Sequence, residues 1–134
     1  MERNKSLEEV ATRFLRRENA MPNMFYHATF NASLPSIKRK GLDTRGVDLA
    51  WEDSQAGIVY LSDDPEVAAS YAEAAENISD EIYDSGIVIL HIPRKNLDDN
   101  KLHDDRNVRS KDHSQTYEYH GTIPFSSVER IIAY

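Results

Sequence analysis

Residues 57–73, GIVYLSDDPEVAASYAE, leave the chain little freedom. Ile58, Tyr60 and Ser62 alternate with Val59 and Leu61, the period of two that marks a strand with different faces. The pattern then switches at once to that of a helix. Asp64 is placed to cap it, Pro65 takes the first helical position, and Glu66 stands near the positive end of the helix dipole. Val67, Ala68, Tyr71, Ala72, Ala75 and Ile78 recur at helical spacing, which predicts an apolar stripe that turns Tyr71 inward against a sheet. The switch sets two tyrosines, Tyr60 near a strand end and Tyr71 within a helix, on neighbouring elements.

The rest of the chain supplies further strands and short helices. MFYHAT (24–29) reads as a strand with Phe25, His27 and Thr29 on one face and Met24, Tyr26 and Ala28 on the other. A short helix, Leu34 to Lys40, follows with Ser33 as its expected cap and Gly41 closing it. GIVILHIP is the most continuous apolar run and predicts a central strand stopped by Pro93. QTYEYHGTIP predicts a late strand running into a Gly121-Thr122 turn, and ERIIAY a last strand. Ser6 and Glu9 form a capping box before an amphipathic helix over about 6–18. Residues 43–56 and the charged stretch 94–113 show no clear period and read as loop. Mixed helices and strands without βαβ alternation predict an α+β domain, with 1–22 as an N-terminal helical extension and 23–134 as the main domain.

The 134 residues suffice for one domain with its own core. The absence of cysteine excludes disulfides, thiolate metal sites and a cysteine nucleophile, so chemistry must come from His, carboxylates, Tyr, Ser or Thr. The net charge of -7 is uneven: 43–84 holds twelve carboxylates against Arg45 alone. That balance argues against a nonspecific nucleic-acid partner. Arg16-Arg17 and Lys38-Arg39-Lys40 are small basic clusters that read as solvated helix faces. No run is long and apolar enough for a membrane span, and the opening residues have no signal-peptide core, which predicts a soluble, cytoplasmic protein without a membrane partner.

Four polar features stand out: His27-Ala28-Thr29, Tyr60 with Ser62, Tyr71, and Glu118. Each taken singly has an ordinary structural role available: a bonded strand histidine, a packed tyrosine, a solvated strand glutamate. In order, "YHAT" before a helix ending in "KGL", then "VYLSDDPEVAASYA", then Glu118 followed by "HGTIP", the set resembles the ADP-ribosyltransferase family. The branch it resembles is that of diphtheria toxin and the poly-ADP-ribose polymerases, marked by a His, Tyr, Glu triad. The likeness spans roughly residues 24 to 134.

This resemblance implies a split β-sandwich of two small, mostly antiparallel sheets with flanking helices and an NAD cleft. It implies mono-ADP-ribosyl transfer from NAD, as co-substrate, to a macromolecular acceptor, a protein before a nucleic acid. Size and resemblance together suggest a bacterial or phage effector. His27 and Thr29 match the family's His-x-Thr phrase, with His27 holding a ribose hydroxyl of NAD. Tyr60 and Tyr71 match the paired tyrosines about the nicotinamide, with Ser62 beside them, and Glu118 matches the catalytic glutamate. The family's acceptor-specifying Glu or Gln two positions before that glutamate is Thr116 here, so no acceptor preference carries over. Gln115, three before, falls on the opposite strand face.

Two further readings stand beside it. The RNA 2'-phosphotransferase family shares a similar "YHGT" phrase but would call for pocket arginines, and Arg45, Arg94, Arg106 and Arg109 lie away from the matched motifs. A partner-binding module on the same fold is the nonenzymatic reading. His103, His113 and His120 near Asp104, Asp105 and Asp112 lack compact ligand spacing, and Asp98-Asp99 lacks that of a calcium loop, so no metal is expected.

Overall fold

The computed structural model describes residues 21–43, 57–75, 78–104 and 116–134. The helix expected over 6–18, the loop over 44–56, His113, and Arg45, Arg106 and Arg109 lie outside the described residues.

Six strands form one antiparallel sheet: β1 Met24–Phe30, β2 Ile58–Ser62, β3 Ile87–Pro93, β4 Leu102–Asp104, β5 Thr116–His120 and β6 Arg130–Ala133, in the order β4-β5-β2-β1-β3-β6. Among the described residues three short α-helices accompany it: α1 Leu34–Lys40, α2 Pro65–Glu73 and α3 Asp80–Asp84. The domain is α+β, as the mixed pattern predicts. The two separate sheets expected are corrected to one open sheet. Its two halves nonetheless differ in how they are tied. β1 and β3 pair along their full length, from Met24↔Pro93 to Phe30↔Ile87, whereas β1 and β2 meet at the single register pair Tyr26↔Ser62.

Alternation builds the core on one face. Phe25, Val59, Leu61, Leu90, Ile92, Tyr117 and Tyr119 cluster there with Ile37 of α1 and Leu42, Leu102 and Ile123. The Phe25 ring meets Tyr117 edge-on at 5.1 Å, so a β1 side chain packs on a β5 side chain across the weakly paired seam. β3 lies between β1 and β6, the interior place its apolar run predicts.

α2 packs on β1 and β3 through the buried Ala68, Ala69 and Ala72, whose small side chains let the helix approach closely. Its start is as the sequence dictates: the Asp64 carboxylate accepts from the Glu66 N–H at 2.9 Å, and Pro65 is the first residue. The helix ends at Glu73, so Ala75 and Ile78 fall beyond the expected stripe.

Gly41 closes α1 with φ of +82°. A Cβ at that position would stand 2.9 Å from the Ile123 carbonyl oxygen, so glycine is required there by conformation and by space. Leu42 and Ile123 then exchange two backbone hydrogen bonds, of 2.7 and 2.9 Å, which tie the segment after β5 to the end of α1. Ser33 does not cap α1 with its side chain; a 3-10 turn over Asn31–Ser33 feeds the helix directly and leaves Ser33 in helical conformation. β4 and α3 arise where no strand or helix is expected from the sequence. Both are too short and too charged to show a period, and Ser79 caps α3 by accepting from the Ile82 N–H at 3.3 Å.

Candidate active site

The β2–β5 ladder gathers the polar residues. Tyr60 stands directly opposite Glu118, and Ser62 directly opposite Thr116. In an antiparallel pair, opposed residues share a face, so these four form one polar patch on the side away from Val59, Leu61 and Tyr117. The two register pairs lie about 6.8 Å apart along the strands, two residues at the usual rise.

Tyr71 reaches the same patch from α2. Its hydroxyl shares a 2.6 Å hydrogen bond with Oγ1 of Thr116, a buried residue of β5. The bond fixes the tyrosine's free end over the strand pair that carries Tyr60 and Glu118. Ser62 is buried, and its Oγ accepts from the Asp64 N–H at 3.1 Å, holding the turn between β2 and α2. The structure therefore gives Ser62 a positioning part: it sets the angle at which α2 leaves the sheet.

His27 enters at the seam. Its Nδ1 lies 2.8 Å from the Tyr60 carbonyl oxygen. A carbonyl only accepts, so Nδ1 carries the hydrogen, and in the neutral ring Nε2 is left as an acceptor. Burial holds the His27 imidazole below its ordinary pKa range, with the hydrogen bond to the Tyr60 carbonyl pulling the other way. The ring is thus neutral at neutral pH. Its bond to the Tyr60 carbonyl links β1 to β2 beyond their single register pair.

Thr29 is buried on β1 in register with Val88, two positions beyond His27. By alternation His27 and Thr29 share the face of Phe25, whereas Tyr60, Ser62, Thr116 and Glu118 share that of Tyr26, so His27 is tied to the patch through the Tyr60 backbone.

The Glu118 side chain is 14% exposed, enclosed on most sides. Tyr60 flanks it on the β2 side and His103 of β4 on the other, in direct register. His120 follows on the same face, with Nε2 3.9 Å from Glu118 Oε1. The rings of His103 and His120 meet edge-on, with centroids 4.5 Å apart. Sequence reasoning weighed these two histidines only as metal ligands and missed that they flank Glu118. His120 was legible, since a residue two after Glu118 on a strand must share its face. His103 was not, because β4 has too few residues to declare itself.

Among the described residues no group of three or more His, Asp or Glu side chains is arranged to hold a metal ion. Arg94 is paired with Asp99 at 3.2 Å, away from the polar patch. Among the described residues no helix is long and apolar enough to cross a membrane. Comparison of the chain with protein-family models finds no match, and comparison with curated proteins finds none either.

Proposed function

We propose that this protein transfers ADP-ribose from NAD to a macromolecular acceptor, a protein before a nucleic acid, with release of nicotinamide. The observation that carries the reading is the convergence on one strand pair. Glu118 and Tyr60 are direct neighbours, His27 is bonded to the Tyr60 backbone, and Tyr71 is anchored two residues away through Thr116. The resemblance in sequence order and the convergence in space are separate lines of support.

The residues suit the chemistry. Breaking a ribosyl–nicotinamide bond develops positive charge on the ribose, as in glycoside cleavage. Glu118, mostly enclosed, offers a fixed negative charge whose effect is strengthened by exclusion of water. Tyr60 and Tyr71 offer aromatic faces to a cationic nicotinamide ring, worth on the order of 0.5 to 2 kcal/mol per face. His27 Nε2, held as an acceptor, suits a ribose hydroxyl. The electron pair of the broken bond leaves with nicotinamide, so the reaction needs no redox partner.

Incubation of the protein with NAD labelled in its adenylate half, in the presence of a bacterial lysate, tests this. The expected result is label on discrete macromolecules with the wild type and its loss with Glu118→Gln. Label that is absent, or that survives Glu118→Gln unchanged, overturns the assignment.

A further inference from the structure

β5 carries three side chains on the face of the polar patch: Thr116, Glu118 and His120. Their circumstances differ. Thr116 is buried, with its hydroxyl engaged by Tyr71 at 2.6 Å. Glu118 is enclosed between Tyr60 and His103. The His120 side chain is 47% exposed, its Nε2 stands 3.9 Å from the Glu118 carboxylate, and its ring rests edge-on against His103. At that separation His120 and Glu118 are neighbours without a direct hydrogen bond, so the imidazole nitrogen remains available to a molecule arriving between them and solvent.

A carboxylate occupied with positive charge on a ribose is a poor base for the incoming acceptor. The nearest remaining group able to take a proton on that face of β5 is His120. Thr116 cannot take this part, because a buried threonine hydroxyl is no base at neutral pH and this one is already bonded. The geometry points to His120 as the general base for the acceptor, with His103 as a positioning residue that holds its ring, and therefore to an acceptor that carries a proton, as a hydroxyl does, rather than a carboxylate. This inference rests on the NAD-cleaving reading above.

The step balances. The acceptor oxygen bonds to the ribose carbon, the carbon–nitrogen bond to nicotinamide breaks and its electron pair leaves with the ring, and the acceptor's O–H proton passes to His120 Nε2 and then to solvent. A carboxylate acceptor would bring no proton to remove and would meet the negative charge of Glu118 beside it. The base is needed only for an acceptor that carries a proton.

Azide, a nucleophile that arrives without a proton, separates the two parts. Nicotinamide release from NAD is measured for the full chain with water as acceptor, with and without sodium azide, in wild type, His120→Ala, His120→Asn and Glu118→Gln. NAD binding is titrated in parallel. Loss of a general base is expected to lower water-dependent release by on the order of 10²-fold in both His120 variants. Azide is expected to restore release in them, with an azido adduct of ADP-ribose as product and unchanged NAD affinity, and to leave Glu118→Gln unrestored. His103→Ala should show a smaller loss that azide also restores.

His120 variants that release nicotinamide within about two-fold of wild type, or whose loss azide fails to repair while NAD still binds, would overturn the assignment of the base. A wild type that neither binds nor cleaves NAD would overturn the underlying reading, and the inference with it, and is distinguished from the first failure by the binding titration.

Discussion

The two halves of the sheet are built for different ends. β1 and β3 share a seven-pair ladder and the cover of α2, and β3 carries the continuous apolar run. β2 and β5 are shorter than β1 and β3 and, with β4, carry Tyr60, Ser62, His103, Thr116, Glu118 and His120. One backbone register pair joins the halves, reinforced by His27 on the Tyr60 carbonyl and by Phe25 against Tyr117. Both halves feed the core, Phe25, Leu90 and Ile92 from the first and Val59, Leu61, Leu102, Tyr117 and Tyr119 from the second, but the second also holds, on its other face, polar side chains that would be costly to bury unpaired in an apolar core. At the seam a buried histidine is held neutral, with one nitrogen bonded to the Tyr60 carbonyl.

The largest effect should come from breaking the core tie across the seam. Phe25→Ala removes a fully buried ring and should cost about 3 to 5 kcal/mol of stability, read from urea unfolding. Native-state hydrogen exchange should then show β4 and β5 amides opening before those of β1 and β3. Equal protection of the two halves in that variant would mean that the seam is not the weak line.

A smaller loss is expected from Tyr71→Phe, which strips the buried Thr116 of its hydroxyl partner. The cost should be about 1 to 2 kcal/mol in stability, accompanied by weaker NAD binding as the ring loses its anchor. If only stability changes, Tyr71 serves the fold alone.

The smallest effect is a pH dependence. The folded protein holds His27 neutral to lower pH than the unfolded chain does. Below the ordinary histidine value of about 6.5, the unfolded state therefore binds more protons, and stability should fall as pH drops through that window and be regained as it rises. His27→Gln should flatten this acid limb, as measured by urea midpoints across a pH series. A limb that persists unchanged in the variant would assign it to other groups.

Much of this arrangement was legible from residues alone. Asp64, Pro65 and Glu66 announced the start of α2 because capping is local chemistry, and Gly41 announced the end of α1 for the same reason. β1, β2, β3, β5 and β6 declared themselves by alternation or by apolar runs. The neighbours Tyr60 and Glu118 did not, because register across fifty-odd residues depends on which strands pair, and no local pattern carries that. The single sheet was hidden for a related reason: whether two three-stranded halves join turns on one pair, Tyr26 and Ser62. Ser33 misled because a 3-10 turn ahead of a helix uses the same residues as a cap.

The most direct test of the whole account is nicotinamide release by the purified chain, compared between wild type and Glu118→Gln with NAD binding measured in both. The account predicts that both bind NAD, that both unfold at the same urea concentration within error, and that release falls by on the order of 10²- to 10³-fold in the variant. Equal release by the two proteins, or no binding of NAD by the wild type, would contradict it.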